Sequence, residues 1–313
     1  MHRIQFASCL PALPLPCEYF DIIGGSGTGG LIALLLGRLR LSVEHAIECY
    51  TRVVSHVFTQ IKADGSLRTT PFEKVLREIS QRFGNGENTP VFDTLPSQCK
   101  TFVCIREDDG SGNVVSRRIR TYAHPTEPAV QYALAEAVRA TMGHPALFKP
   151  LSSTKGNSHR ILLDAGNDHY NPAFDILQEA ETIYPTRHLA YFLSLGAGTT
   201  QTIGENPARR FVNQPRLPSP ILRNIRALAE RCDAIATAFK RDHKDLEGKY
   251  FRMTPSNAPS DSRIRWEEVE ALEEMVGPYF ADVQDQVRIL VAAMMHETGM
   301  VKSRGLTGYG SPR

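Results

Sequence analysis

Between Glu18 and Leu41 the chain reads EYFDII, then GGSGTGG, then LIALLLGRLRL. The aromatic and β-branched run over 18–23 predicts a short strand closed by glycines, and the apolar density after the glycines predicts a buried helix. The connecting segment Gly24–Gly30 holds five glycines. Such a tight strand-to-helix turn demands small residues, because the backbone passes through strained dihedrals close to its neighbours.

A turn of this kind serves two chemistries. In one, Gly25, Gly27 and Gly30 satisfy GxGxxG, and free N–H groups at the helix start would hold a dinucleotide pyrophosphate. That fingerprint needs a second strand ending in an acid about 20 residues on. Here the polar and apolar pattern over 43–58 predicts a helix capped by Ser42, which puts Glu44 and Glu48 on a helix instead. No Lys-Ser or Lys-Thr follows the glycines, so the phosphate loop of nucleotide triphosphatases is also absent. In the other chemistry the turn is a nucleophile elbow, G-x-S-x-G, which lifts a serine above the sheet. Aligned on Gly25 and Gly29, the elbow reads Gly25-Ser26-Gly27-Thr28-Gly29. Its central position is Gly27, and Ser26 stands one residue early.

Along the rest of the chain, helical spacing over 71–83 precedes two β-rich runs, 101–106 and 114–122, joined by the turn-forming DDGSGN. A helix over 127–142, a strand over 160–164, a helix over 172–182 and a strand over 188–195 follow. Strands alternating with helices predict an α/β protein with a mostly parallel central sheet and helices on both faces, a three-layer arrangement. Beyond Gly198 three helices, 221–240, 265–280 and 283–297, form a C-terminal helical extension. The division expected is a core over 1–200, a helical part or cap over 201–302 and a disordered tail over 303–313.

The 36 Lys and Arg against 34 Asp and Glu give a formal charge of +2, without the basic excess of a nucleic-acid binder. The longest apolar run, Ile289 to Met295, is far below the roughly 20 residues needed to cross a bilayer. Six scattered cysteines without a CxxC pair argue for reduced thiols, with Cys99 and Cys104 as core filler, and against a metal site or a disulfide scaffold. The first 16 residues, broken by three prolines, make a poor signal peptide. The expected location is cytoplasmic, with peripheral contact at membranes. Arg209, Arg210, Arg216, Arg223 and Arg226 form a basic stretch, and Glu267, Glu268, Glu270, Glu273 and Glu274 an acidic helix face after Trp266. A solvated loop and helix face is the plainer reading of both.

The segment EYFDIIGGSGTGGLIALLLGRL resembles the patatin-like phospholipases, lipid acyl hydrolases, and especially their fungal members. Three further segments agree in order. AVRATMGHPALFKP over 137–150 resembles A-x-R-A-T-S-A-A-P-x-x-F-x-P, with Met142, Gly143 and His144 in place of small residues. ILLDAGNDHYNPA over 161–173 resembles D-G-[GA]-x-x-x-N-P, with Ala165 at the first glycine, and FLSLGAG over 192–198 resembles L-S-L-G-T-G. KYFRMT, from Lys249, is a weaker match.

The resemblance implies a Ser–Asp dyad, in which an elbow serine attacks an ester carbonyl and an aspartate is its base. Matched by position, Asp164 takes the base position, Gly27 the nucleophile position, Gly25, Thr28, Gly29 and Gly30 the rest of the elbow, and Gly166, Asn171 and Pro172 the dyad loop. His144, His159 and His169 are not required. No cofactor is implied, and the substrate would be a phospholipid or other acyl-ester lipid. Two departures oppose activity: glycine carries no nucleophilic atom, and no D-G-G-G-x-R-G oxyanion loop precedes the elbow. The 26 residues ahead of Gly27 are too few for the family's first strand and that loop, so an N-terminally shortened member is expected. The reading is therefore a lipid acyl hydrolase fold with little or no hydrolysis. Ser26 acting as nucleophile after a one-residue shift, a non-catalytic lipid- or protein-binding module, and a dinucleotide-binding protein are the alternatives.

Overall fold

Two short N-terminal elements, helix α1 (His2–Ala7) and a single 3₁₀ turn (Pro16–Glu18), precede strand β1 (Ile22–Gly25). The strand starts later than the apolar pattern suggests, because Pro16 begins the 3₁₀ turn. A computed structural model of the chain describes residues 1–57, 62, 64, 66–94, 99–155, 158–166, 168–199, 219–255 and 269–305. After β1 the chain turns into α2 (Thr28–Ala33), which continues as a π-helical turn (Leu34–Arg38). Helices α3 (Val43–Val57) and α4 (Thr69–Phe83) follow. Ser42 caps α3, its hydroxyl accepting the His45 N–H at 3.2 Å.

The hairpin is as expected: β2 (Lys100–Asp108) pairs antiparallel with β3 (Val114–Arg120), and Asp108 and Asp109 accept the N–H groups of Gly110 and Ser111 in the turn. Helix α5 (Leu134–Thr141) is shorter than its pattern. Backbone groups at 132–134 instead bond the 89–91 segment, Val91 N–H to the Tyr132 carbonyl and Leu134 N–H to the Thr89 carbonyl. Next come β4 (Leu151–Lys155), β5 (Ser158–Leu163), α6 (Ala173–Ile183) and β6 (Phe192–Leu195), then α7 (Ser219–Asp242), β7 (Tyr250–Met253), α8 (Val269–Asp282) and α9 (Gln284–Gly305).

The sheet is mixed, which corrects the mostly parallel expectation. Among the described residues only β1 and β2 pair in parallel in the five-stranded sheet; β2–β3, β2–β5 and β4–β5 are antiparallel. The cause is local, since β4–β5 and β2–β3 are joined by a few residues, and such short links permit only antiparallel neighbours. Strand β2 holds β3 along one edge; along the other it pairs with β1 over its first half and β5 over its second.

Alternation along β2 builds the two outer layers. Val103 and Ile105 join one large core with Leu31, Leu34, Val53, Phe72, Leu76 and Val138 from α2–α5. Phe102 and Cys104 point the other way, against Ala165 and Ile176. Burying each of the large side chains contributes roughly 1.5–3 kcal/mol, so the α2–α5 side dominates stability. Cys49, Cys99 and Cys104 are buried and in no disulfide, Cys99 and Cys104 filling the core as expected, and burial pushes Cys99 up to about 12.

Among the described residues the C-terminal part is mostly helical, and β7, between α7 and α8, pairs in parallel with β6. Phe239 of α7 packs with Phe192 and Leu246, while Ile4 of α1 joins Phe251, Met253, Leu290 and Met294. Helix α9 runs to Gly305, past the expected start of the tail at 303; residues 306–313 lie outside the described residues. Arg209, Arg210, Arg216, Trp266, Glu267 and Glu268 also lie outside them. No helix among the described residues is long and apolar enough to cross a membrane.

Candidate active site

The elbow is held from three sides. Gly30 N–H is shared between the carbonyls of Ser26 and Gly27, at 3.1 and 3.0 Å, and closes the turn. A side chain at Gly25 would collide with the Gly29 carbonyl, so the close approach of strand and helix requires glycine there. Thr141, at the end of α5, accepts the Gly27 N–H at 3.0 Å and donates to the Cys104 carbonyl of β2 at 2.8 Å. This threonine, wholly buried, fixes the elbow to both the sheet and α5.

Gly27 lies at φ 57° and ψ −131°, between the last residue of the strand side and the first turn of α2. That conformation is costly for a residue with a side chain, and glycine adopts it without that cost. Space is not the obstacle. A Cβ at Gly27 would meet only Tyr170 Cε1 within 4 Å, at 3.8 Å. Ser26, by contrast, is buried, and its hydroxyl donates to the Tyr170 carbonyl at 2.8 Å.

Asp164 follows β5 directly and is 1% exposed. Its carboxylate is fully engaged: Arg106 donates to Oδ1 at 2.7 Å, Gly166 N–H to the same oxygen at 3.3 Å, and the Tyr170 hydroxyl to Oδ2. Arg106 also donates to the Asp164 carbonyl at 3.2 Å. Burial, then the Asp164 charge, raises the Tyr170 phenol well above its ordinary value, so it stays a donor. Tyr170 thus sets its ring edge beside Gly27 and its hydroxyl on Asp164.

The remaining loop residues hold this arrangement. Asn171 Nδ2 donates to the Cys232 carbonyl of α7 at 3.0 Å, and Pro172 stands immediately before α6. Thr28 lines the cleft, and Gly29 has open space around it. Of the histidines, His159 is exposed, His144 lines the cleft, and His169 bonds Asp175 at 2.9 Å. Glu44 and Glu48 lie on α3, as the sequence pattern places them. Beside Gly27 opens a cavity of about 130 Å³ with an apolar wall from Met142, Leu147 and Phe148 and, across from them, Ile225 and Leu228 of α7. No group of three metal-ligating side chains occurs among the described residues.

Sequence reasoning missed Arg106, Thr141 and Tyr170. Arg106 is found only through register, since β2 sets it opposite Leu163, next to Asp164. Thr141 and Tyr170 fall inside segments that carry the family resemblance, but neither motif assigns them a partner.

The family model for patatin-like phospholipase matches residues 4–175. That is more than half of the chain, which therefore belongs to the patatin-like phospholipase family. Among individual proteins it is similar to calcium-independent phospholipase A2-gamma of Mus musculus, 24% identical over 306 residues, covering 90% of this chain and 36% of that protein. The Rattus norvegicus protein of the same name is 24% identical over 268 residues, or 78% of this chain and 32% of its own. It is also similar to probable inactive patatin-like protein 9 of Arabidopsis thaliana, 28% identical over 171 residues, or 50% of this chain and 42% of that one. The chain thus spans about a third of the length of the phospholipase relatives it matches.

Proposed function

We propose that this chain is a patatin-like lipid-binding protein whose site receives the acyl chain of a phospholipid or other acyl-ester lipid without hydrolysing it. The observation that carries the reading is Tyr170, whose ring edge lies beside Gly27, the nucleophile position by resemblance, and whose hydroxyl is bound to Asp164, the base position by resemblance. No atom at Gly27 can form an acyl intermediate. Loss of a triad member in other hydrolases leaves only roughly 10³–10⁴-fold catalysis over water, from binding and oxyanion contacts. At the same time Gly25, Thr141 and the positive-φ Gly27 backbone hold a close strand-to-helix turn of the kind an elbow needs, and the apolar cleft opens beside it.

A fluorophosphonate probe and a p-nitrophenyl butyrate assay test the missing chemistry, with no labelling and no turnover expected. Labelling lost in Ser26→Ala would overturn the reading in favour of Ser26 as the nucleophile. Displacement of a fluorescent fatty acid tests the binding half. Leu228→Arg, which places a charge in the cleft wall, should abolish it. Binding that is absent in the parent chain, or unchanged in Leu228→Arg, would remove the acyl-binding assignment.

A further inference from the structure

A second cavity, of about 260 Å³, opens at the β3 edge of the sheet and shares no residue with the cleft at Gly27. Its floor is a row of polar side chains on one face of four adjacent strands. Arg117 comes from β3, Glu107 from β2, Arg160 from β5 and Ser153 from β4; the β4–β5 register pairs Ser153 directly with Arg160. Glu107 is almost fully buried and serves three donors. Arg160 reaches it at 2.6 Å, the Tyr132 hydroxyl at 2.9 Å, and Arg117 lies 3.5 Å away. One carboxylate therefore faces two guanidiniums, whose side chains remain 43% and 39% exposed.

The other arginines of this cavity are spoken for. Arg120 is closed by Glu179 and Glu127, and Arg118 by Asp175 and Glu179. The unbalanced positive charge is that of Arg117 and Arg160. Next to Arg160, Ser153 is 5% exposed, and its hydroxyl has no hydrogen-bond partner among the described residues. A buried hydroxyl without a partner ordinarily costs about 1–3 kcal/mol, so a fold that needed only packing here would do better with alanine. The opposite wall is apolar, from Pro128, Ala129 and Val130, the last of these 46% exposed.

We infer that this cavity binds a phosphate monoester, with Arg160 and Arg117 donating to the phosphate oxygens, the Ser153 hydroxyl completing the cradle, and the apolar wall covering the attached carbon. Two guanidinium forks and a hydroxyl match an anion with three acceptor oxygens, which a single-point cation would not. The same group can arrive on a soluble metabolite or on a lipid head.

Binding is read by thermal shift and titration calorimetry with phenyl phosphate and glycerol 3-phosphate, and by flotation with phosphatidic acid vesicles against phosphatidylcholine vesicles. The inference expects saturable binding of at least one phosphate source. Arg160→Gln should weaken it tenfold or more, and Ser153→Ala severalfold. Arg77→Gln, a charge-matched change on exposed α4, should leave it unaltered. Binding to the soluble esters alone assigns a soluble ligand, and binding to phosphatidic acid vesicles alone assigns a lipid head; either supports the site. Absence of binding to both sources at millimolar concentration overturns it, as does an equal loss in Arg77→Gln, which would mark diffuse surface charge. Because Arg160→Gln exposes Glu107, Arg117→Gln and Ser153→Ala carry the test if that variant fails to fold. Ser153→Ala removes no contact the fold uses, and unchanged binding in both variants also overturns the inference.

Discussion

Asp164 and Glu179 are both buried carboxylates that receive a tyrosine hydroxyl and an arginine, yet they do different things. Glu179, on α6, is completely buried and accepts Arg120 at 2.5 Å, Arg118 at 2.9 Å and the Tyr122 hydroxyl, with His124 4.0 Å away. Burial alone would push its carboxyl up, but these donors, Arg120 first, hold it below the ordinary glutamate value. Asp164 has one arginine, whose side chain is 31% exposed, and one tyrosine at the edge of the cleft. The first group is a redundant clasp between β3 and α6. The second holds a single buried acid, Asp164, behind Tyr170 of the cleft. Redundancy marks structure, and economy at a cleft marks a site.

That distinction ranks the responses to mutation. Glu179→Ala strands two arginines beside a buried hydroxyl and should cost about 3–5 kcal/mol, the usual penalty for breaking a buried ion pair from one side. Urea denaturation measures it, and a loss below ~1 kcal/mol would mean that Asp175 and Glu127 alone suffice for Arg118 and Arg120. Asp164→Ala should cost less, about 1–3 kcal/mol. The Tyr170 hydroxyl loses its acceptor, but Arg106 can turn to water. If Asp164→Ala proved the more damaging of the two, the clasp and the site would have to exchange roles.

What the sequence disclosed follows the same division. The strand, elbow and helix over 18–38, the caps, and the hairpin at DDGSGN are local, so their residues state them directly. Asp164 was placed only by the family resemblance, since an acid before a small residue and a glycine reads equally well as a turn. Its partners were illegible. Arg106 reaches it because β5 runs antiparallel to β2, and nothing in RILLD announces strand direction. The Arg118, Arg120 and Glu179 clasp joins residues about sixty apart in the chain, across a sheet edge that no local pattern reveals. The mixed sheet escaped for a related reason: LSSTK over 151–155 is a polar edge strand without the apolar alternation that identifies strands in sequence.

At the cleft itself, Gly27→Ser adds a hydroxyl where the chain has none. A side chain at φ 57° and ψ −131° should cost about 1–3 kcal/mol in thermal stability, although the position has room for it. Hydrolysis should remain absent in this single variant, because both carboxylate oxygens of Asp164 already accept hydrogen bonds, Oδ1 from Arg106 and Oδ2 from Tyr170. Gly27→Ser with Tyr170→Phe frees Oδ2 and should give measurable turnover of p-nitrophenyl butyrate, slow because no D-G-G-G-x-R-G stands ahead of the elbow in this sequence. Turnover in the single variant would show that Tyr170 does not block the base. A folded, inactive double variant would show that a further element is missing.

The smallest effect is expected at His169, where the two regions nearly meet. His169 lies one residue before Tyr170 and bonds Asp175, which also accepts Arg118 of the clasp. The bond to Asp175 raises the imidazole above 6.5, and although burial pushes Asp175 up, His169 and Arg118 hold it below its ordinary value. A histidine raised on folding stabilises fully below its unfolded value, and that contribution is lost as pH rises through the folded value. The carboxylates lose theirs only in the acid range, as pH falls through their lowered values. With the His169 side chain 31% exposed, solvent screening leaves about 0.5 kcal/mol. Thermal melts between pH 5.5 and 8.5 should therefore show the parent chain losing its advantage over His169→Gln as pH rises. Parallel pH profiles for the two chains would mean that the His169–Asp175 bond does not couple the site to the clasp.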